Sequence, residues 1–254
     1  MTFLLSITIG LLAGILGALL GIGGGVIMLP LSGLLLGYDA VTAVSTTLFA
    51  VFFKAVSGAY GHFKNGNVRV KEGLLVGAGG VIGLLPASWL FKHYFSENIG
   101  MLEGLLGFLF LFFALRIAVD FVREWRGHTQ QQKANRRQYN YIKPVLLGVI
   151  TGMFAGIFGI GGGFIMVPGL LLFFGMTPLQ AVGTSLFAMI TISGIGGLIK
   201  LGQGFVELPV GIMLGLGTII GAQLGVKISD HIKPLMLKGA FVLLFLYLAV
   251  TYLF

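Results

Sequence analysis

Gly21-Ile-Gly-Gly-Gly-Val-Ile-Met-Leu-Pro30 returns, 138 positions further on, as Gly159-Ile-Gly-Gly-Gly-Phe-Ile-Met-Val-Pro168, with eight identities in ten positions and no gap. The same displacement lays Ala43-Val-Ser-Thr-Thr-Leu-Phe-Ala50 on Ala181-Val-Gly-Thr-Ser-Leu-Phe-Ala188, six identities in eight, and His93 on His231. The chain is therefore a duplication, with repeat 1 over 1–122 and repeat 2 over 144–254, joined by a basic linker at 123–143.

Around these stretches the composition is that of a membrane protein. Of 254 residues 57% are hydrophobic and only 9% charged, with a mean hydropathy of +1.02, whereas soluble domains carry about 25% charged residues. The net charge of +8 does not indicate nucleic acid, because the basic residues form no stripe on a polar surface. Six of them (Arg123, Arg126, Lys133, Arg136, Arg137, Lys143) crowd the linker, as in a cytoplasmic loop under the positive-inside bias. With no cysteine, disulfides, iron–sulfur clusters and thiolate zinc sites are excluded. The N-terminal stretch has neither a basic leader nor a clear cleavage site and reads as mature membrane segment.

Apolar segments run over 2–36, 40–63, 73–95 and 99–122 in the first repeat and over 144–175, 178–200, 208–228 and 236–254 in the second. A crossing takes about 20 residues, so the first segment of each half is too long for one helix. The glycines are where it breaks, since glycine is costly inside a helix and reaches backbone angles closed to other residues. Pro30 and Pro168 add a second interruption. The predicted fold is an all-α polytopic membrane protein of two repeats, each a glycine-broken helical hairpin followed by three transmembrane helices. Loop charges favour inverted repeats: 62–72 and 227–238 are basic and read as cytoplasmic, while 92–98 and 200–207 are neutral and read as external.

A Gly-Gly-Gly turn at membrane depth leaves backbone amides that lipid cannot satisfy. If Gly23, Gly24 and Gly25 in one half and Gly161, Gly162 and Gly163 in the other open returning helices, their amides and positive dipole ends form an anion nest. Close packing accounts for the spaced glycines (Gly17, Gly21, Gly25; Gly148, Gly152, Gly156; Gly217, Gly221, Gly225) but less well for three adjacent ones. Thr46, Thr47, Thr184 and Ser185 recur at equivalent places and offer neutral donors to an oxyanion; bonding back to their own helix is the alternative. Lys54 falls near the middle of its helix, about 13 Å from the end by helical rise, on the face of Thr47. A lysine at that depth marks a functional site, and Ile192 is its counterpart. Arg116 reads as a snorkelled pair with Asp120, and Lys200, Glu207 and Glu72 as interfacial. No metal-ligand spacing, catalytic triad or cofactor signature occurs, so no enzyme, no metal and no cofactor is expected.

The two G-I-G-G-G-x-I-M-x-P turns, each followed by A-V-x-T-[ST]-L-F-A, resemble the sulfite exporter TauE/SafE family over nearly the whole chain. That resemblance implies a multi-pass transporter of the bacterial or archaeal cytoplasmic membrane whose partners are the lipid bilayer and a small sulfur-containing anion, sulfite or an organosulfonate. The expected mechanism is alternating access around a midplane anion bound by the two turns, the four hydroxyls and Lys54. An anion channel on the same scaffold is the alternative. The sequence leaves the particular anion, the direction, ion coupling and the oligomeric state open.

Overall fold

The computed structural model describes residues 2–20, 24–125, 141–228 and 234–253. Gly23, most of the linker, His128 and His231 lie outside them. The described residues form ten α-helices and no strand: α1 Thr2–Leu20, α2 Gly25–Leu36, α3 Ala40–Lys64, α4 Val70–Leu90, α5 Ile99–Trp125, α6 Ile142–Phe158, α7 Gly163–Phe174, α8 Pro178–Gly202, α9 Leu208–Ile228 and α10 Pro234–Leu253. A π-helical turn, Phe91–Phe95, extends α4.

Local chemistry sets the boundaries. Gly37, at φ 70°, ends α2, a left-handed position that favours glycine. Asp39 then caps α3 by accepting from the Thr42 amide at 2.8 Å. In the second half Thr177 and Gln180 form a reciprocal capping box, with Pro178 at the first helical position of α8. These caps fall within three residues of the breaks, so α2 and α3 (and α7 and α8) are separate helices joined by tight turns.

Among the described residues five helices, α3, α4 with its π turn, α5, α8 and α9, are long and apolar enough to cross a membrane. By contrast α2 and α7 have 12 residues each. At 1.5 Å per residue they reach about 18 Å, well short of a hydrocarbon core of about 30 Å.

The main helix contacts occur in equivalent pairs when the halves are exchanged. Helix α1 packs on α9 as α6 packs on α4, α3 meets α9 as α8 meets α4, and α3–α8 and α5–α10 each pair a helix with its own counterpart. The interfaces of α1 with α9 and α6 with α4 are lined by small residues. A Cβ on Gly148, Gly152, Gly217 or Gly221 would run into the backbone of the opposing helix, the close approach that small residues permit inside membranes. Leu48 meets Gly196 while Gly58 meets Leu186, so α3 and α8 run antiparallel. Gly107 meets Leu253 while Phe121 approaches Gly239, so α5 and α10 do the same. Aromatic stacking joins the latter pair, with Phe110 and Phe245 6.0 Å apart, and Phe113 stands edge-on to Phe164 of α7 at 4.6 Å.

Candidate functional site

The two half-length helices start in the protein interior. Gly24, Gly25 and Val26 of the first half and Gly161, Gly162, Gly163 and Phe164 of the second are all buried. Each cap sits against the preceding helix in the same way: a Cβ on Gly24 would stand 3.0 Å from the Ala13 carbonyl oxygen, and one on Gly162 3.0 Å from that of Thr151. Ala13 and Thr151 are themselves 138 positions apart. The turns are not identical, however. Gly159, Gly161 and Gly162 have φ of 70°, 72° and 73°, whereas Gly24 has φ −68°. Glycine is therefore favoured by conformation in the second turn, whereas at Gly24 a Cβ would be tightly placed against the Ala13 carbonyl and the Lys54 side chain.

The turns meet. A Cβ on Gly25 would lie 2.9 Å from the Ile160 carbonyl oxygen, and one on Gly161 would touch Met189 at 2.6 Å and Val51 at 2.8 Å. Val51 and Met189 are equivalent residues of the two halves, so Gly161 lies where α3 and α8 cross. The opening amides of a helix have no partner within it, and the starts of α2 and α7 are thus brought to one region.

Lys54 belongs to the same region. It is 4% exposed, and its Nζ would be 2.8 Å from a Cβ on Gly17 and 3.3 Å from one on Gly24. Among the described residues it has no hydrogen-bond or ion-pair partner. Its ammonium is enclosed by protein and lies beside the first glycine cap. Thr47, two turns earlier on the same face, is buried with its hydroxyl unpartnered among the described residues.

The other hydroxyls are used locally. Thr184 Oγ1 accepts from the Arg69 amide at 3.0 Å, and Thr46 Oγ1 accepts from the Glu207 amide at 3.1 Å. These are one interaction seen twice, because 46 and 184, and 69 and 207, are related by the same displacement. Each threonine pins the loop residue that precedes α4 or α9. Ser185 donates to the Val182 carbonyl at 2.8 Å within its own helix. Sequence spacing alone did not separate Thr47 from these three.

Two basic residues have surroundings that the sequence did not show, and the Asp120 side chain expected to pair with Arg116 lies outside the described residues. Arg116 Nη1 donates to the Phe164 carbonyl at 3.5 Å. Phe164 is four residues before Pro168, so its carbonyl has lost the helical amide it would otherwise accept from, and the guanidinium takes that place beside the second glycine turn. Lys200, near the C-terminal end of α8, is 0% exposed. Glu72 is also buried, 3.6 Å from Arg69 Nη1. For Arg116 the recoverable signal was the proline's orphaned carbonyl; for Lys200 it was its alignment with His62.

The sequence profile of the sulfite exporter TauE/SafE family matches residues 6–252. The chain belongs to that family. Relatives include the "Probable membrane transporter protein YdhB" of Bacillus subtilis, 29% identical over 93% of this chain and 94% of its own length. A "Probable membrane transporter protein" of Methanocaldococcus jannaschii is 28% identical over 92% of this chain and 89% of its own, and YunE of Bacillus subtilis, of the same description, is 29% identical over 92% and 90%. This TauE/SafE protein is accordingly a multi-pass membrane transporter, and its relatives are named as transporters rather than enzymes.

Proposed function

We propose that this TauE/SafE transporter carries a small sulfur-containing anion, sulfite or an organosulfonate, out across the cytoplasmic membrane of a bacterial or archaeal cell. The anion would bind where α2 and α7 begin, held by amides of Gly23, Gly24, Gly25, Gly161, Gly162 and Gly163, with Thr47 as hydroxyl donor and Lys54 offsetting its charge. Thr46, Thr184 and Ser185 frame the site and complete it only if they exchange their present bonds. The observation that carries this reading is the meeting of Gly25 with Ile160 beside a buried Lys54 that has no hydrogen-bond or ion-pair partner among the described residues.

The halves act as inverted repeats in this mechanism. The antiparallel crossings of α3 with α8 and of α5 with α10 support that, because two copies related by an axis in the membrane plane run in opposite directions. Rocking of one half on the other opens the site to alternate sides. Gly161 between Val51 and Met189 is then the pivot, and the tight packing around the turns corresponds to a closed state. The inside-negative potential favours expulsion of an anion by about 2.3 kcal/mol per charge per 100 mV, so export needs no coupling ion.

The test is counterflow in proteoliposomes loaded with sulfite, thiosulfate, sulfoacetate or sulfate, with thermal stabilisation of the purified protein by the same panel. Saturable, trans-stimulated exchange of a sulfur anion that also stabilises the protein is expected. Non-saturating conductance would favour a channel, and no response to any of the four would refute the substrate class.

A further inference from the structure

Lys200 stands outside the site just described. Its ammonium is fully enclosed, 2.7 Å from the centroid of the Phe91 ring, and no hydrogen-bond partner for it exists among the described residues. The neighbouring polar atoms are also unsatisfied. Gln203, the C-cap of α8, donates through Nε2 to the Ser88 carbonyl at 3.4 Å while its Oε1 has no partner among the described residues, and the buried Ser88 hydroxyl, one turn before Phe91, has none either. A ring face compensates a buried cation only in part, and enclosed charges in proteins are as a rule paired. Three polar groups of complementary type, each without a hydrogen-bond partner among the described residues, are thus placed where α8 ends against α4.

The duplication gives this cluster a counterpart. Residue 200 is displaced by 138 from His62, whose Nδ1 is likewise buried without a partner among the described residues. His62 is near the C-terminal end of α3 and Lys200 near that of α8. Since these helices run antiparallel, the two basic groups are at opposite ends of the central crossing, with the glycine turns and Lys54 between them.

We propose that Lys200, Ser88 and Gln203 form an occluded subsite for a small monovalent oxyanion at the outer mouth of the pathway, and that His62 is its counterpart at the inner mouth. The ammonium and serine hydroxyl donate to the anion's oxygens; the Gln203 amide oxygen accepts from a protonated one. An anion leaving the central site passes to Lys200 as the outer side opens, which keeps the ammonium paired until water reaches it. This inference rests on the anion-transport reading, although Lys200 can be tested separately from Lys54.

The experiment is sulfite flux in oriented proteoliposomes, with sulfite presented to one face at a time, using wild type, Lys200→Met, Lys200→Arg and Gln203→Leu. Losing one charge-assisted contact should raise KM about tenfold for Lys200→Met from the outer face only, with inner-face KM unchanged, Lys200→Arg near wild type and Gln203→Leu intermediate. A purely structural lysine would lower thermal stability and shift both faces together. An unchanged KM, or an equal rise on both faces, overturns the subsite. If wild type moves no sulfite, the central reading fails. Lys200 is then judged by thermal stabilisation with sulfite, which Lys200→Met must diminish; equal stabilisation of both proteins would overturn the subsite.

Discussion

Gly25 of the first half and Ile160 of the second touch through their backbones: a Cβ on Gly25 would fall 2.9 Å from the Ile160 carbonyl oxygen and 3.0 Å from its carbonyl carbon and Cα. Backbone cannot yield as a side-chain tip does. Gly25→Ala should therefore force the two turns apart, at about 1–3 kcal/mol of overpacking, and abolish anion-dependent stabilisation. Gly104→Ala is the control, a helical glycine with nothing within 4 Å of its would-be Cβ, and should be neutral or stabilising by up to about 1 kcal/mol. Thermal unfolding of both variants in detergent checks this, and a Gly25→Ala protein matching wild type would show that the turns do not meet.

Thr46 and Thr184 should behave as twins. Each accepts one loop amide, from Glu207 or Arg69, so Thr46→Val and Thr184→Val should each cost about 1 kcal/mol and the serine variants much less. Unfolding midpoints for the four variants provide the test. A valine variant that keeps full stability but loses anion affinity would instead place that hydroxyl on the substrate.

Arg116 should be needed only because of Pro168. Its bond to the Phe164 carbonyl replaces the amide that proline lacks, so Arg116→Gln should destabilise wild type by about 1.5 kcal/mol and a Pro168→Ala background by much less, alanine restoring the helical donor. A double-mutant cycle measures that coupling, and a coupling of zero would mean that Arg116 serves something other than the carbonyl.

The element order was legible because it rests on two local signals, apolar run length and the glycine break. The sequence boundaries 178–200 and 208–228 correspond to helices Pro178–Gly202 and Leu208–Ile228. Lys54 was legible for a similar reason, since helical rise alone gives its depth. The roles of Thr46 and Thr184 were not, because their partners are 161 and 115 positions away and a hydroxyl's spacing does not reveal which amide it meets. The Arg116 bond to Phe164 was not legible, because an i,i+4 neighbour can be seen in sequence and a bond from α5 to α7 cannot. The enclosure of Lys200 was not legible, because proximity to a helix end says nothing about the Phe91 ring that covers it.

Lys54 lies beside the first glycine cap with no hydrogen-bond or ion-pair partner among the described residues, and in the proposed function it neutralises an anion between the two turns. Sulfite counterflow in proteoliposomes, comparing wild type with Lys54→Met and Lys54→Arg at equal reconstitution and equal thermal stability, tests it most directly. Lys54→Met should lose at least about 90% of exchange, the effect of forfeiting one charged contact worth about 1.4 kcal/mol or more, and Lys54→Arg should retain part of it. Wild-type exchange by Lys54→Met would contradict it.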